Sequence, residues 1–306
     1  KQTKSIIVIS AGFSEMGEEG KALEKKMADL ADGAGATLIG PNCIGVMNPY
    51  HQSVFTTPVP ALTRQGCDFI SGSGATAVFI MESALSKGLS FGSVYSVGNA
   101  AQTGVEDVLS HIDETFDAAS SSRTLLLYME SIGKPIRFLK HARSLAEKGC
   151  RIAAVKAGTS DAGSRAAASH TGAMLNPDTA VDALFRKAGV IRCYSREELG
   201  TVGSILQHPP LKGKNIAVIT HAGGPAVMLT DALANGGLAV PTLPEEKTRG
   251  LLAELFDGSS VANPIDILAT GTAAQLEKAI ETCEHDLDMI DGMVVIFGSP
   301  GLFSTA

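Results

Sequence analysis

The stretch CDFISGSGATAVFIMESALSK, residues 67–87, decides the fold. Its first five residues read as a strand around Phe69-Ile70, Gly72-Ser73-Gly74 is a turn, and residues 75–87 carry a helical pattern. A short apolar run bounded by turn residues reads as a strand buried on both faces, as in a parallel sheet. The same order returns at 216–235: an apolar run at 216–220, the turn His221-Ala222-Gly223-Gly224-Pro225, and a helix at 226–235. The pair hints at an internal duplication.

Working outward, the same alternation fills the chain. Strands are expected at 6–10, 36–39, 93–97, 124–130, 152–156 and 293–297. Helices are expected at 18–31, near 104–112, and at 136–148, 178–188 and 196–206. Residues 40–45 are turn-dense, and 157–169 form a long run of small polar residues. His208-Pro209-Pro210-Leu211-Lys212-Gly213 reads as a linker, because consecutive prolines stop a helix. Strands alternating with helices predict an α/β class with mostly parallel sheets and helices on both faces. Three pieces are expected: 1–59, the tail of a first domain; 60–207; and 208–306, an incomplete domain. The first residue is not Met, and the chain opens almost directly into a strand, so a fragment trimmed at both ends is expected.

Composition narrows the function. Of 306 residues, 44% are hydrophobic and 19% charged, enough apolar material for sizeable cores and too much for disorder. Tryptophan is absent and aromatics are 5%, which argues against a stacking platform for single-stranded nucleic acid. The net charge is −7 with no basic stripe, so neither nucleic acid nor an anionic membrane is an expected partner. No run approaches the roughly 20 apolar residues of a membrane helix. The five cysteines are scattered without a CxxC pair, which fits reduced thiols in a cytoplasmic protein. No HxxxH, HExxH or Cys/His cluster occurs, so no metal site is expected. There is no GxSxG elbow and no Walker A motif.

Several segments could carry chemistry. Gly72-Ser73-Gly74 precedes a helix start, where backbone N–H groups and the helix dipole favour an anion such as phosphate. Taken alone, a tight strand-to-helix turn that merely needs glycine is the simpler reading. Gly98-Asn99 and the 221–225 loop are weaker candidates of the same kind. Ser164-Arg165-Ala166-Ala167-Ala168-Ser169-His170-Thr171-Gly172-Ala173 sets a histidine among small residues that would let a phosphate reach the imidazole, a competent nucleophile near neutral pH. An incidental histidine in a surface loop is the plain alternative. The other histidines, apart from His221 in its loop, lack such a setting and read as surface residues. Glu130 ends the 124–130 strand, where parallel sheets place their ligands. It could orient an imidazole, or serve only as a cap or an ion-pair partner.

Together these motifs resemble a family. Gly40-Pro41-Asn42-Cys43-Ile44-Gly45 is similar to the G-P-N-C-x-G turn of succinyl-CoA synthetase α subunits. Residues 164–173 closely resemble the phosphohistidine loop of NDP-forming acyl-CoA synthetases, the ADP-forming acetate–CoA ligase type. Ile9-Ser10-Ala11-Gly12-Phe13 and Asn263-Pro264-Ile265-Asp266 also look like segments of that group, so the resemblance runs along essentially the whole chain. It implies Rossmann-like and flavodoxin-like domains: an incomplete CoA-binding domain at 1–59, a ligase domain with the phosphohistidine loop at 60–207, and a second, truncated ligase domain at 208–306. The implied reaction is acyl-CoA + phosphate + NDP ⇌ acid + CoA + NTP.

The resemblance also implies roles. His170 would be transiently phosphorylated, and Glu130 would orient and stabilise it. Ser71, Gly72, Ser73, Gly74 and Ala75 would hold phosphate, with Gly98 and Asn99 lining the same pocket. Asn42 and Cys43 would lie near the CoA thiol and acyl group. CoA would bind here, while ATP/ADP or GTP/GDP and Mg would bind an ATP-grasp region outside the chain, on a β-type subunit or a fused domain. Acyl-CoA and phosphate would be substrates, in a homo- or hetero-oligomer. The competing expectation is a CoA-binding regulatory or protein lysine acetyltransferase scaffold without ligase activity. Such scaffolds have lost the histidine, which is present here.

Overall fold

The computed structural model describes residues 3–57, 59–163, 165 and 177–297. The chain divides into two compact units, 1–209 and 210–306, close to the expected linker.

The first unit opens with β1 (Ser5–Ile7), α1 (Glu18–Gly33) and β2 (Thr37–Ile39), with β1 and β2 paired in parallel. Next come β3 (Gly45–Asn48), β4 (His51–Val54), β5 (Leu62–Ser71), α2 (Gly74–Leu85), β6 (Phe91–Ser96), α3 (Val105–Glu114) and β7 (Thr124–Met129). The unit ends with α4 (Pro135–Glu147), β8 (Arg151–Lys156), α5 (Asp178–Ala188), β9 (Val190–Cys193) and α6 (Arg196–Leu206). Seven strands form one sheet in the order β4-β3-β6-β5-β7-β8-β9. All its pairings are parallel except those made by β3, which runs antiparallel to both β4 and β6.

That hairpin is where the fold departs from the expected division at 59/60. Residues 45–54 form β3 and β4 at one edge of the seven-stranded sheet, with β3 hydrogen-bonded to β6, and sequence pattern alone gave no strand there. The physical reason is pairing demand: β6 would otherwise leave a row of main-chain groups unpaired.

Both faces of the sheet are apolar, as expected for a parallel sheet under helices. Along β7 and β8, Leu125, Leu127, Met129, Ile152 and Ala154 enter the core on one side with Phe138 of α4 and Phe185 of α5. Leu126, Ala153 and Val155 enter the other, beside Ile80 and Met81 of α2 and Leu199 of α6. Phe138 and Phe185 stack with centroids 5.6 Å apart, each worth roughly 2–3 kcal/mol of burial. His141, expected at the surface, is instead buried between α3 and α4, bonded to Asp113 at 2.8 Å and Ser110 at 3.1 Å.

The second unit contains β10 (Ile216–Thr220), α7 (Gly223–Asn235), α8 (Glu245–Glu254), β11 (Ile265–Asp266), α9 (Ala273–Glu281) and β12 (Gly292–Ile296). Its parallel sheet has the order β11-β10-β12. The hint of duplication has a structural counterpart. Ser71 Oγ donates to Ser73 O (2.7 Å) and accepts from Ser73 N (3.2 Å); Thr220 Oγ1 does the same with Ala222 O and N, at 2.9 Å each. The same hydroxyl-closed turn thus leads from a central strand into a helix in both units.

Candidate functional site

A cleft of about 650 Å³ opens in the first unit at the C-terminal ends of β5 and β7. Open parallel sheets place ligands there, because the strand-to-helix turns leave helix N-termini facing the gap. The turns at 42–44, 72–75, 97–100, 104–106 and 129–134 line it, with Ser14, Lys21 and Glu24.

The turn after β5 leads into the N-terminus of α2. Ser71 is fully buried, and its hydroxyl is spent on closing the turn, so it shapes the turn from behind. Ser73 caps α2: its Oγ accepts from Thr76 N at 3.4 Å and donates to Thr76 Oγ1 at 3.0 Å. Gly72 N is tied to Tyr128 O of β7 at 2.9 Å. The N–H groups of Gly74 and Ala75 remain without an acceptor among the described residues, at the positive end of the helix dipole. The cations lining the cleft are already engaged, Lys21 with Glu18 at 2.8 Å and Lys134 with Asp107. An anion here would depend on main-chain donors.

Glu130 follows β7 and lines the cleft. Tyr128, two residues earlier and so on the same side of the strand, hydrogen-bonds both Thr76 and Glu130. Burial first, and then the Glu130 carboxylate, push the Tyr128 hydroxyl above its usual pKa, so it remains a donor. A line of hydroxyls thus runs from the Ser73 cap through Thr76 and Tyr128 to the carboxylate. Sequence reasoning missed Thr76 and Tyr128, although the two-residue spacing of Tyr128 and Glu130 was a readable signal.

The 40–45 turn and the 98–101 turn interlock. Asn99 N donates to Pro41 O at 2.9 Å and Ala101 N to Gly40 O at 3.1 Å. Gly98 has φ +55°, and a Cβ there would lie 2.1 Å from Pro41 O, so only glycine fits. Asn42 also sits in the left-handed region, at φ +55°, and its Nδ2 donates to Asn99 Oδ1 at 3.2 Å. Asn99 Nδ2 in turn lies 2.6 Å from Glu15 Oε2, 2.9 Å from Glu24 Oε2 and 3.0 Å from Ser14 Oγ. Burial of Glu15 opposes ionisation, but main-chain bonds from Gly12 and Phe13, with the Asn99 bond, overcome it and hold the carboxyl down at about 2. Asn99 therefore fastens the N-terminal segment to the cleft. Cys43 is buried, with Sγ 3.3 Å from Val8 O, and burial raises its pKa, so it stands there as a thiol.

The structure thus brings Asn42, Cys43, Gly72, Ser73, Gly74, Ala75, Gly98, Asn99 and Glu130 to one cleft, with Ser71 behind it. His170 lies outside the described residues. Among the described residues, no group of three or more His, Cys, Asp or Glu could hold a metal, and no helix is long and apolar enough to cross a membrane.

The family of succinyl-CoA ligase-like flavodoxin domains matches residues 64–206. The α subunit of ADP-forming acetate–CoA ligase II from Pyrococcus furiosus is 34% identical over all of this chain and 66% of its own length. The ADP-forming 4-hydroxybutyrate–CoA ligase of Nitrosopumilus maritimus is 32% identical over 88% of this chain and 38% of its own. Among solved structures, the "dinucleotide forming" acetyl-coenzyme A synthetase 1 of Ca. Korarchaeum cryptofilum, in complex with phosphate and ADP, superposes with a TM-score of 0.82. That pair shares 27% identity over 95% of this chain and 62% of the other. The chain spans between about a third and two thirds of the length of these relatives.

Proposed function

Residues 64–206 match the family of succinyl-CoA ligase-like flavodoxin domains, and from that premise we propose that the chain is the α-type part of an NDP-forming acyl-CoA synthetase. Its substrates are acyl-CoA and phosphate. A phosphate oxygen attacks the thioester carbonyl, the C–S bond breaks, and CoA leaves as an acyl phosphate forms. A His170 nitrogen then attacks phosphorus and the carboxylate leaves. The phosphoryl group passes from His170 to a nucleoside diphosphate.

One observation carries the reading: the N–H groups of Gly74 and Ala75, without an acceptor among the described residues, share a cleft with Glu130. Main-chain donors hold the phosphoryl oxygens without a competing cation. Glu130, fixed by Tyr128, accepts from one imidazole N–H and stabilises the charge that builds on the ring. The attacking nitrogen must be unprotonated, so Glu130 orients the neutral ring. Glycines and alanines around His170 lower the cost of moving that loop from the cleft to the nucleotide.

The nucleotide and its Mg bind an ATP-grasp region on a β-type subunit or fused domain, and the assembly is oligomeric. The five cysteines are free and buried thiols, in keeping with the cytoplasm. A regulatory or lysine acetyltransferase scaffold is not favoured, since the relatives are named as ligases. The test is phosphate labelling of the full-length protein with its nucleotide partner, ATP and Mg²⁺. Acid-labile label is expected in the wild type and none in His170→Asn; undiminished label in the mutant would overturn the assignment.

A further inference from the structure

Glu106 is a third carboxylate in the cleft, beside Glu24 and Glu130, and the phosphoryl chemistry leaves it unused. It stands in the first turn of α3 and is only 5% exposed, yet it lines the cavity. Its Oε1 accepts from Lys134 N at 2.9 Å. Its Oε2 takes no hydrogen bond from any described residue.

Glu106 has no cation partner among the described residues. The nearby cations, Lys134 and Arg137, both pair with its neighbour Asp107. Asp107 also caps the start of α3, its Oδ2 accepting from Gly104 N at 2.9 Å. Consecutive carboxylates thus divide the work: Asp107 holds the helix and the two cations, and Glu106 presents an oxygen open to the cavity. An oxygen open to the cavity in this way is available to a ligand donor that displaces water from it. A second anionic group brought beside it in a low-dielectric cleft is repelled.

We propose that Glu106 is a specificity-determining residue of the acyl site, which it tunes toward short acyl groups bearing a hydroxyl donor and against acids with a second carboxylate. The hydroxyl donates to Oε2, completing the coordination that Lys134 N begins at Oε1. This rests on the synthetase reading above.

The test uses the full-length enzyme with its nucleotide partner and compares kcat/KM for 4-hydroxybutyrate, butyrate and succinate in the wild type and in Glu106→Gln. Glutamine keeps an acceptor for Lys134 N but removes the charge. The wild type is expected to prefer the hydroxy acid over butyrate by at least tenfold, and succinate to be the poorest. In Glu106→Gln the succinate-to-butyrate ratio should rise about tenfold or more. A loss shared equally by all three acids, with unmoved ratios, would mean that Glu106 only braces the turn at Lys134 and would overturn the proposal. Wild-type labelling by ATP separates the two failures. If label forms and the ratios stay fixed, the role of Glu106 falls alone; if no label forms, the synthetase reading falls with it.

Discussion

Glu130→Gln keeps the size of the side chain and its bond to Tyr128 but removes the charge that, in the proposed function, steadies an imidazolium or phosphoimidazole. Turnover is expected to fall by roughly 10²-fold, measured as acyl-CoA formation with the nucleotide partner; full activity would reduce Glu130 to a structural carboxylate. Tyr128→Phe should give a smaller loss, since it frees the carboxylate without discharging it. The anion turn calls for a choice of probe. A Cβ at Gly74 would lie 2.8 Å from Ile44 Cγ2, so Gly74→Val disturbs packing as well as any bound anion. At Gly72 the nearest atom to an added Cβ is Tyr128 O at 3.6 Å, so Gly72→Ala should fold normally. Ser73→Ala removes the cap at a cost of about 1 kcal/mol and leaves the Gly74 and Ala75 donors in place. Its phosphate affinity by calorimetry should stay within a few-fold of wild type, whereas a loss as large as that of Gly74→Val would implicate the hydroxyl instead.

Between elements, the cleft depends on one turn seated on another. Gly98→Ala would drive a methyl into Pro41 O, and the expected outcome is a melting temperature lower by several degrees, with the 40–45 turn displaced. The sheet also stores a titratable cost. Asp68 of β5 lies against Ser93 and Gly92 of β6, and burial raises its pKa to about 6 despite the Ser93 hydrogen bonds. The folded state therefore holds this proton up to about pH 6, while the unfolded chain gives it up near 4. Stability contributed here is present below about pH 4 and is lost as pH rises through 6. Asp68→Asn should flatten that slope and raise stability at pH 7 by roughly 1–3 kcal/mol, checked by urea unfolding across pH. Asp113 acts in the opposite sense. Burial opposes its ionisation, but bonds from Lys148, Ser144 and His141 lower its pKa, so its contribution fades as the medium becomes acidic.

For the whole molecule, the cleft offers main-chain N–H donors and carboxylates, while its cations are committed to carboxylates of the same chain. Phosphoryl transfer from a nucleotide needs charge neutralisation supplied from elsewhere. Incubating this chain alone with radiolabelled ATP and Mg²⁺ should leave it unlabelled, and adding an ATP-grasp polypeptide should restore labelling. Label on the isolated chain would place a nucleotide site within it.

Much of the architecture was legible because parallel α/β order leaves a local trace. Apolar runs, glycine turns and amphipathic stretches repeat in the order strand, turn, helix, and the strands from 124–130 to 152–156 stand within a residue of their expected bounds. The motifs around Asn42, Gly74, Gly98 and Glu130 were legible for the same reason, since each is a short run of residues with fixed local conformation. What sequence alone did not decide was long-range pairing. Residues 45–54 have no strand pattern of their own, and they become strands because the edge of β6 has donors and acceptors to fill. Tertiary contact likewise decided the partners of Asn99, the hydroxyl line from Ser73 to Glu130, the burial of His141 and the open oxygen of Glu106. A side chain's spare hydrogen-bonding capacity is set by what the folded chain brings against it, and neighbours along the sequence do not reveal it.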